Sequence, residues 1–191
     1  MARKKALLLL FDGYCEFEIA SAISMLKNTH ELHTFGLETT PLKSEAGLTT
    51  IPDLTIKDID INNYDVLIIP GGDLKPIADA HDLFEWVNHF VAKGKTTAAI
   101  CSGVFILAKA QALNHKHYTV TLSKVQRDFL GCFDEDYYRY QPTVRENNIL
   151  TAQGHAYVDF AIELKKMIGE VSAEAVEFYQ GKGNKLMEQE V

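Results

Sequence analysis

The sequence predicts an α/β fold in which helices cover both faces of a mostly parallel sheet. Short, continuous apolar runs alternate along the chain with longer segments of helical spacing. A continuous apolar run is typical of a strand buried on both faces, and alternation with helices is typical of a parallel sheet. The length of 191 residues suits one domain. A domain of this size buries about 70% of the surface that its unfolded chain exposes, without disulfides or metals.

Apolar runs locate the predicted strands, and 3.6-residue periodicity locates the predicted helices. Strands are predicted at 6–11, 30–37, 66–69, 96–100 and 118–122, with a hairpin or turn into a final strand at 144–151. Helices are predicted at 14–28, 82–92, 102–112, 155–168 and 172–179. The segment 38–63 contains only short extended pieces. Residues 1–180 are predicted to form a single domain, and 181–191 a polar tail that frays.

Charge and composition exclude several classes of function. The chain has 26 acidic and 19 basic residues, a net charge of −7, and no basic block. This balance argues against binding to nucleic acid or to an anionic membrane, since attraction to phosphates needs clustered Lys and Arg. No window reaches the roughly 18 apolar residues of a membrane span.

Features of the N-terminus and of the cysteines point to the cytoplasm. The basic start at residues 1–5 precedes an apolar run of only six residues, 6–11, which is shorter than the core of a secretory signal. Cys15, Cys101 and Cys132 are odd in number and widely spaced, unlike a secreted disulfide framework. We therefore expect a cytoplasmic protein.

The junction at Cys101 is the most informative segment. An apolar predicted strand ends at Ile100, and Cys101 leads into a predicted helix with essentially no loop. This arrangement is typical of a nucleophile elbow, in which a helix N-terminus favours thiolate over thiol. The alternative is that Cys101 is a small buried apolar residue, as free cysteines commonly are.

Two further predicted strand ends meet the same sheet edge, where ligands bind in such folds. Glu18 lies in the first turns of the helix after strand 6–11, between Phe17 and Ile19. It either complements the helix dipole or points inward, where poor solvation would raise its pKa and let it donate a hydrogen bond to a thiolate. Gly71 and Gly72 end strand 66–69 and either form a turn or present N–H groups to an anion.

Four segments carry a resemblance to a known family: LLLLFDGYCEFE, YDVLIIPGG, AAICSGVFILA and ILTAQG. In their order and spacing the sequence resembles the ThiJ/PfpI superfamily, also called the DJ-one superfamily, over essentially the whole chain. The resemblance implies a flavodoxin-like, three-layer α/β sandwich related to class I glutamine amidotransferases, and a homodimer. It implies that Cys101 is the nucleophile and that Glu18 is its acidic partner. It also implies oxyanion-stabilising amides at Gly72 and Ser102, with Gly71 supporting the turn.

One position departs from the family pattern. Many catalytically competent members carry a histidine about twenty residues after the cysteine, where this chain has Thr121. His155 follows the last predicted strand and is either an accessory group entering from that side or a surface histidine at a helix start. Without a positioned imidazole, general acid–base chemistry at neutral pH loses its most suitable residue, and proteolysis is disfavoured.

Two functions follow as hypotheses. The first is a cysteine-dependent enzyme of hydrolase or lyase type, without cofactor, that acts on a small electrophile such as a reactive carbonyl, amide or isonitrile-like carbon. The second is a redox-responsive protein of stress protection, in which Cys101 is oxidised to a sulfinic acid with little turnover. A regulator fused to a helix-turn-helix module is not expected, because the chain leaves no room for one. An amidotransferase triad is not expected either, because no histidine–acid pair appears near the C-terminus.

The remaining cysteines and two further histidines carry weaker signals of a functional role. His115 and His117 lack further nearby ligands and are expected to be loop residues rather than a metal site. Cys15 lies beside the first strand end, but spacing alone does not place it near Cys101 as a resolving thiol. Cys132 is expected to be a packing or loop residue.

Overall fold

The computed structural model describes residues 3–182, and within them a mixed sheet of seven strands forms the centre of the molecule. The strands are β1 (Lys4–Leu9), β2 (His30–Gly36), β3 (Leu42–Lys43), β4 (Thr49–Thr50), β5 (Leu54–Thr55), β6 (Val66–Ile69), β7 (Thr96–Ile100), β8 (Thr143–Glu146) and β9 (Ile149–Ala152). The α-helices are α1 (Phe17–Leu26), α2 (His81–Ala92), α3 (Val104–Lys109), α4 (Lys124–Leu130), α5 (Tyr157–Ile168) and α6 (Ala173–Tyr179). The sheet order is β5-β2-β1-β6-β7-β9-β8, and β3 pairs with β4 separately.

All neighbouring strands of the main sheet are parallel except β8 and β9, which form an antiparallel hairpin. Every residue of β6 is fully buried. Because successive side chains of a strand point to opposite faces, both faces of the sheet are covered. Helix α1 packs against α5, and α2 packs against α3. The predicted flavodoxin-like α/β sandwich is therefore confirmed.

Most elements predicted from the sequence are present, with shifted ends. The strands at Val66–Ile69 and Thr96–Ile100 have the predicted bounds. Helix α1 begins at Phe17 rather than at Tyr14, because the main chain of Tyr14 pairs with Gly72. The predicted helix at 102–112 consists of a 3-10 turn over Cys101–Gly103 and the short α3.

The strand predicted at 118–122 is wrong. Only an isolated bridge joins Tyr118 to Tyr138, and no strand forms there. The reason is topological: β9 pairs directly with β7, so the place beside β7 is already taken by the β8–β9 hairpin. The segment instead crosses β9, where Thr119 N–H donates to Thr151 Oγ1 at 3.0 Å.

Helix α4 was not predicted, although its N-terminal signal is visible in the sequence. Ser123 and Gln126 form a capping box, with Ser123 Oγ accepting from Gln126 N–H at 3.2 Å and Gln126 Oε1 from Ser123 N–H at 2.8 Å. Gly131, with φ of 65°, ends the helix in the left-handed conformation. This helix matters because its first turn forms one wall of the cavity described below.

None of the helices in residues 3–182 is long and apolar enough to cross a membrane. Residues 183–191 of the predicted polar tail lie outside the described residues.

Candidate active site

The main chain at Cys101 forms the predicted sharp turn. Ile100 is extended, Cys101 has φ of 58°, and the 3-10 turn leads into α3. A positive φ is rare outside glycine and is typical of strained functional positions. A Cβ on Gly103 would collide with the carbonyl group of Pro70, so the turn packs closely against the end of β6. This packing holds Cys101 against Gly71 and Gly72.

The structure brings Glu18 into contact with Cys101. Glu18 is only 1% exposed, its Oε2 accepts a hydrogen bond from Gly71 N–H at 2.8 Å, and its carboxyl group is within hydrogen-bonding reach of the Cys101 thiol. A Cβ on Gly71 would lie 2.6 Å from Glu18 Oε2, and one on Gly154 would lie 2.9 Å from Glu18 Oε1 and 3.0 Å from Cys101 Sγ. Two glycines thus make room for the pair.

Burial sets the protonation of this pair. It raises the pKa of the Glu18 carboxyl. Burial, followed by the negative charge of Glu18, raises the pKa of Cys101 to about 11, against the opposing effect of hydrogen bonds from Ser102 N–H and Thr121. The helix N-terminus was expected to favour the thiolate, but burial and the charge of Glu18 have the larger, opposite effect on the Cys101 pKa. Because ionising both groups is disfavoured, at least one proton stays on the pair up to the Cys101 pKa of about 11.

Thr121 occupies the side of Cys101 where the family histidine was expected. Its Oγ1 accepts from Gly154 N–H at 2.8 Å and donates to Gln153 Oε1 at 2.9 Å, and the hydroxyl is also within hydrogen-bonding reach of the Cys101 sulfur. A threonine hydroxyl has a single hydrogen. The Thr121 hydroxyl can therefore donate a hydrogen bond either to the Gln153 side-chain oxygen or to the Cys101 sulfur, but not to both at once.

Gln153 is a site residue that the sequence interpretation missed. It is 4% exposed, and its Nε2 donates to Thr119 Oγ1 at 2.7 Å and to Val120 O at 3.0 Å. These two acceptors orient the amide so that its oxygen faces Thr121. The only signal in the sequence was its position directly after strand β9, at the edge where the other strand ends meet.

The amides predicted to stabilise an oxyanion are already engaged. Gly72 N–H donates to Ser102 Oγ at 2.9 Å, and Ser102 Oγ donates in turn to Gly72 O at 2.8 Å. Gly71 N–H donates to Glu18, and Ser102 N–H lies within reach of the Cys101 sulfur. For the Gly72 amide to bind a substrate oxygen, its bond to Ser102 Oγ must be exchanged.

The structure does not bring His155 to the sulfur. His155 is exposed on the 3-10 turn Gly154–Ala156, and none of the seven histidines lines the cavity above Cys101. The main chain of Gly154, rather than the next side chain, lies against Cys101. His115 and His117 instead bond Tyr137 and Glu146. Within residues 3–182 no three His, Cys, Asp or Glu side chains are grouped to hold a metal ion.

Cys101 opens into a cavity of about 520 Å³, a volume suited to a small molecule. The cavity is also lined by Cys15, whose N–H donates to Gly71 O at 2.9 Å. Burial and nearby carboxylates raise the pKa of Cys15 to about 12, so it is a neutral thiol beside the site. Cys132 lines a different, smaller cavity next to Tyr118. A larger groove of about 820 Å³ lies between α2 and α3, away from Cys101, and no cysteine lines it.

The chain is similar to known proteins in sequence and in fold. The Bacillus subtilis (strain 168) protein named Uncharacterized protease YdeA is 30% identical over 178 residues, 91% of this chain and 88% of its own. Glutathione-independent glyoxalase DJR-1.2 of Caenorhabditis elegans is 28% identical over 127 residues, 63% of this chain and 68% of its own.

The crystal structure of DJ-1 superfamily protein Atu0886 from Agrobacterium tumefaciens superposes with a TM-score of 0.84 at 26% identity, covering 96% of this chain and 99% of that one. The DJ-1/PfpI family model matches residues 4–167. The chain therefore belongs to the DJ-1/PfpI family.

Proposed function

We propose that the protein is a cysteine-dependent enzyme that acts on a small electrophile, with a reactive carbonyl compound as the first candidate. The observation that carries this proposal is the buried Glu18–Cys101 pair at the floor of a cavity sized for a small molecule. The name of the glyoxalase relative supports the carbonyl class.

The pair has the single proton that addition to a carbonyl requires. As Cys101 Sγ attacks the carbonyl carbon, the thiol proton moves to the Glu18 carboxylate and the carbonyl electron pair moves to oxygen. Glu18 then returns that proton to the new alkoxide. The resulting hemithioacetal is a covalent intermediate on Cys101, and Glu18 ends this step in the charge state in which it began. For a 2-oxoaldehyde, transfer of the hydrogen on the hemithioacetal carbon to the neighbouring carbonyl carbon gives a thioester. Water then cleaves this thioester to a 2-hydroxy acid and the free Cys101 thiol.

Thr121 stabilises the charged sulfur but does not replace an imidazole as an acid or base. A threonine hydroxyl does not titrate near neutral pH, so it can only turn its hydrogen towards the thiolate. Glu18 is then the titratable group in contact with the sulfur among the described residues. This supports addition to a carbonyl over peptide hydrolysis, which also requires protonation of an amine leaving group.

Consumption of neutral 2-oxoaldehydes tests the proposal. We expect turnover by the wild type, a loss of at least about 100-fold in kcat/KM for Cys101→Ser and for Glu18→Gln, and unchanged turnover for Cys132→Ser. Equal activity of wild type and Cys101→Ser would exclude the cysteine mechanism.

A second candidate is a redox-responsive role in stress protection. The observation that favours it is the Glu18 carboxyl beside the sulfur, which can donate a hydrogen bond to a sulfinate, together with the lack of a histidine lining the cavity. After mild peroxide treatment, mass spectrometry should find sulfinic acid at Cys101 before Cys15 or Cys132. Preferential oxidation of either other cysteine would exclude this role. The homodimer and the cytoplasmic location stay predictions, and light scattering in solution tests the first.

A further inference from the structure

The lining of the Cys101 cavity carries negative charge and no cationic side chain. Eleven residues line it; Glu45 and Asp73 are acidic, and none is Lys, Arg or His. A cleft lined by one sign of charge concentrates ligands of the opposite sign and repels those of its own.

Main-chain hydrogen bonds hold both acidic residues at the cavity. Glu45 lies between β3 and β4, and its N–H donates to Tyr14 O at 2.8 Å, which ties this hairpin to the loop before α1. Asp73 follows β6, its N–H donates to Gly13 O at 3.1 Å, and its Oδ1 accepts from Lys75 N–H at 2.9 Å.

The field of Glu45 reaches the reactive groups. Its charge contributes to the raised pKa of Glu18 and of Cys15. The ammonium group of the neighbouring Lys43 donates to Thr49 Oγ1 at 2.6 Å rather than to a carboxylate. Neither Glu45 nor Asp73 takes part in an ion pair within the described part of the chain.

We propose that Glu45 and Asp73 select the substrate by charge: the site accepts neutral or cationic small electrophiles and rejects those bearing a carboxylate, sulfonate or phosphate. This inference rests on the proposed function, since it names the substrate class of the same cysteine. A neutral 2-oxoaldehyde or a carbonyl carrying an ammonium or guanidinium group fits, whereas an aldehyde that carries a carboxylate does not.

Thiol-specific methanethiosulfonates of three charges test the selection without any turnover. The Cys101 thiolate attacks their sulfenyl sulfur, a disulfide forms, and methanesulfinate leaves. The transferred group ends in ammonium, methyl or sulfonate. Labelling rates are measured on the Cys101 peptide by mass spectrometry and divided by the rates of 2-mercaptoethanol.

In the wild type we expect the normalised rate of the neutral reagent to exceed that of the sulfonate about fivefold, and the ammonium reagent to react fastest. In the double variant Glu45→Gln/Asp73→Asn, the ratio of the neutral to the sulfonate rate should fall to within about twofold of the ratio for 2-mercaptoethanol. Each removed charge accounts for about a factor of two in this ratio. Glu85→Gln, an exposed position on α2, is the matched control and should retain the wild-type ratio.

Added salt should reduce the ratio of the neutral to the sulfonate rate in the wild type, because the Debye screening length falls to about 3 Å at 1 M salt. A wild-type ratio equal to that of 2-mercaptoethanol, or one retained in the double variant, would overturn the inference. Failure of the proposed function is distinguishable: in that case no carbonyl compound is consumed, while the charge ratio at Cys101 is still measurable.

Discussion

The carboxyl group of Glu18 lies beside the thiol of Cys101, within hydrogen-bonding reach, although the two residues are far apart in the chain. The contact exists because β1 and β7 end at the same edge of the sheet, on either side of β6. Burial raises the pKa of both groups, so the state in which the carboxyl and the thiol are both ionised is disfavoured. Four predictions follow from this relationship and its surroundings.

Gly154→Ala should displace the pair without unfolding the protein. Its new methyl group would lie 2.9 Å from Glu18 Oε1 and 3.0 Å from Cys101 Sγ, and the side chains there must move. We expect kcat/KM for a 2-oxoaldehyde to fall by about tenfold, since misplacement of catalytic groups by a fraction of an ångström is costly. Gly169→Ala is the control, because nothing lies within 4 Å of its added methyl group. Equal slowing in both variants would contradict the prediction.

Thr121→Val should raise the Cys101 pKa, because it removes a hydrogen bond that lowers it. The isosteric valine keeps the shape of the wall but leaves Gly154 N–H and Gln153 Oε1 without their partner. We expect about a tenfold lower rate of alkylation at neutral pH, since a bond to a charged group contributes about 1.5–3 kcal/mol. Thr121→Ser should restore the rate. If the pH dependence of Cys101 alkylation were the same in Thr121→Val as in the wild type, the hydroxyl would not reach the sulfur.

Glu18→Gln should separate thiol acidity from turnover. The amide removes the negative charge that raises the Cys101 pKa, while burial continues to act. We therefore expect the thiolate, followed by its absorbance near 240 nm, to form at lower pH than in the wild type, where the pKa is about 11. Turnover should nevertheless fall, because an amide carries no transferable proton. A Cys101 pKa at or above the wild-type value would contradict this account.

The same substitution should stabilise the fold at neutral pH. Burial raises the folded-state pKa of Glu18 above its unfolded value, so the native state binds more protons between the two values. Stability from this group is complete below the unfolded pKa and is lost as pH rises through the folded pKa. We expect Glu18→Gln to melt roughly 2–4 °C above wild type at pH 7, with a smaller difference at pH 4. A larger difference at pH 4 would reverse the assigned sign.

Much of the fold was predictable because its signals are local. The buried strand β6 is a continuous apolar run, and the end of α1 follows from its periodicity. The capping box of Ser123 was equally local but was overlooked. The strand predicted around Tyr118 failed for a different reason, since β9 takes the place beside β7 and the segment makes only an isolated bridge to Tyr138.

The sequence by itself determined the α/β alternation, the sharp turn at Cys101 and the family resemblance, because apolar periodicity and small residues at strand ends are properties of neighbouring positions. Only the tertiary structure decided which groups surround the sulfur. It placed Glu18, Thr121 and the main chain of Gly154 there and left His155 at the surface. It also reversed the expected effect on the Cys101 pKa, because burial and the charge of a carboxylate distant in sequence outweigh the short helix that follows. Both depend on long-range packing, which no local pattern encodes.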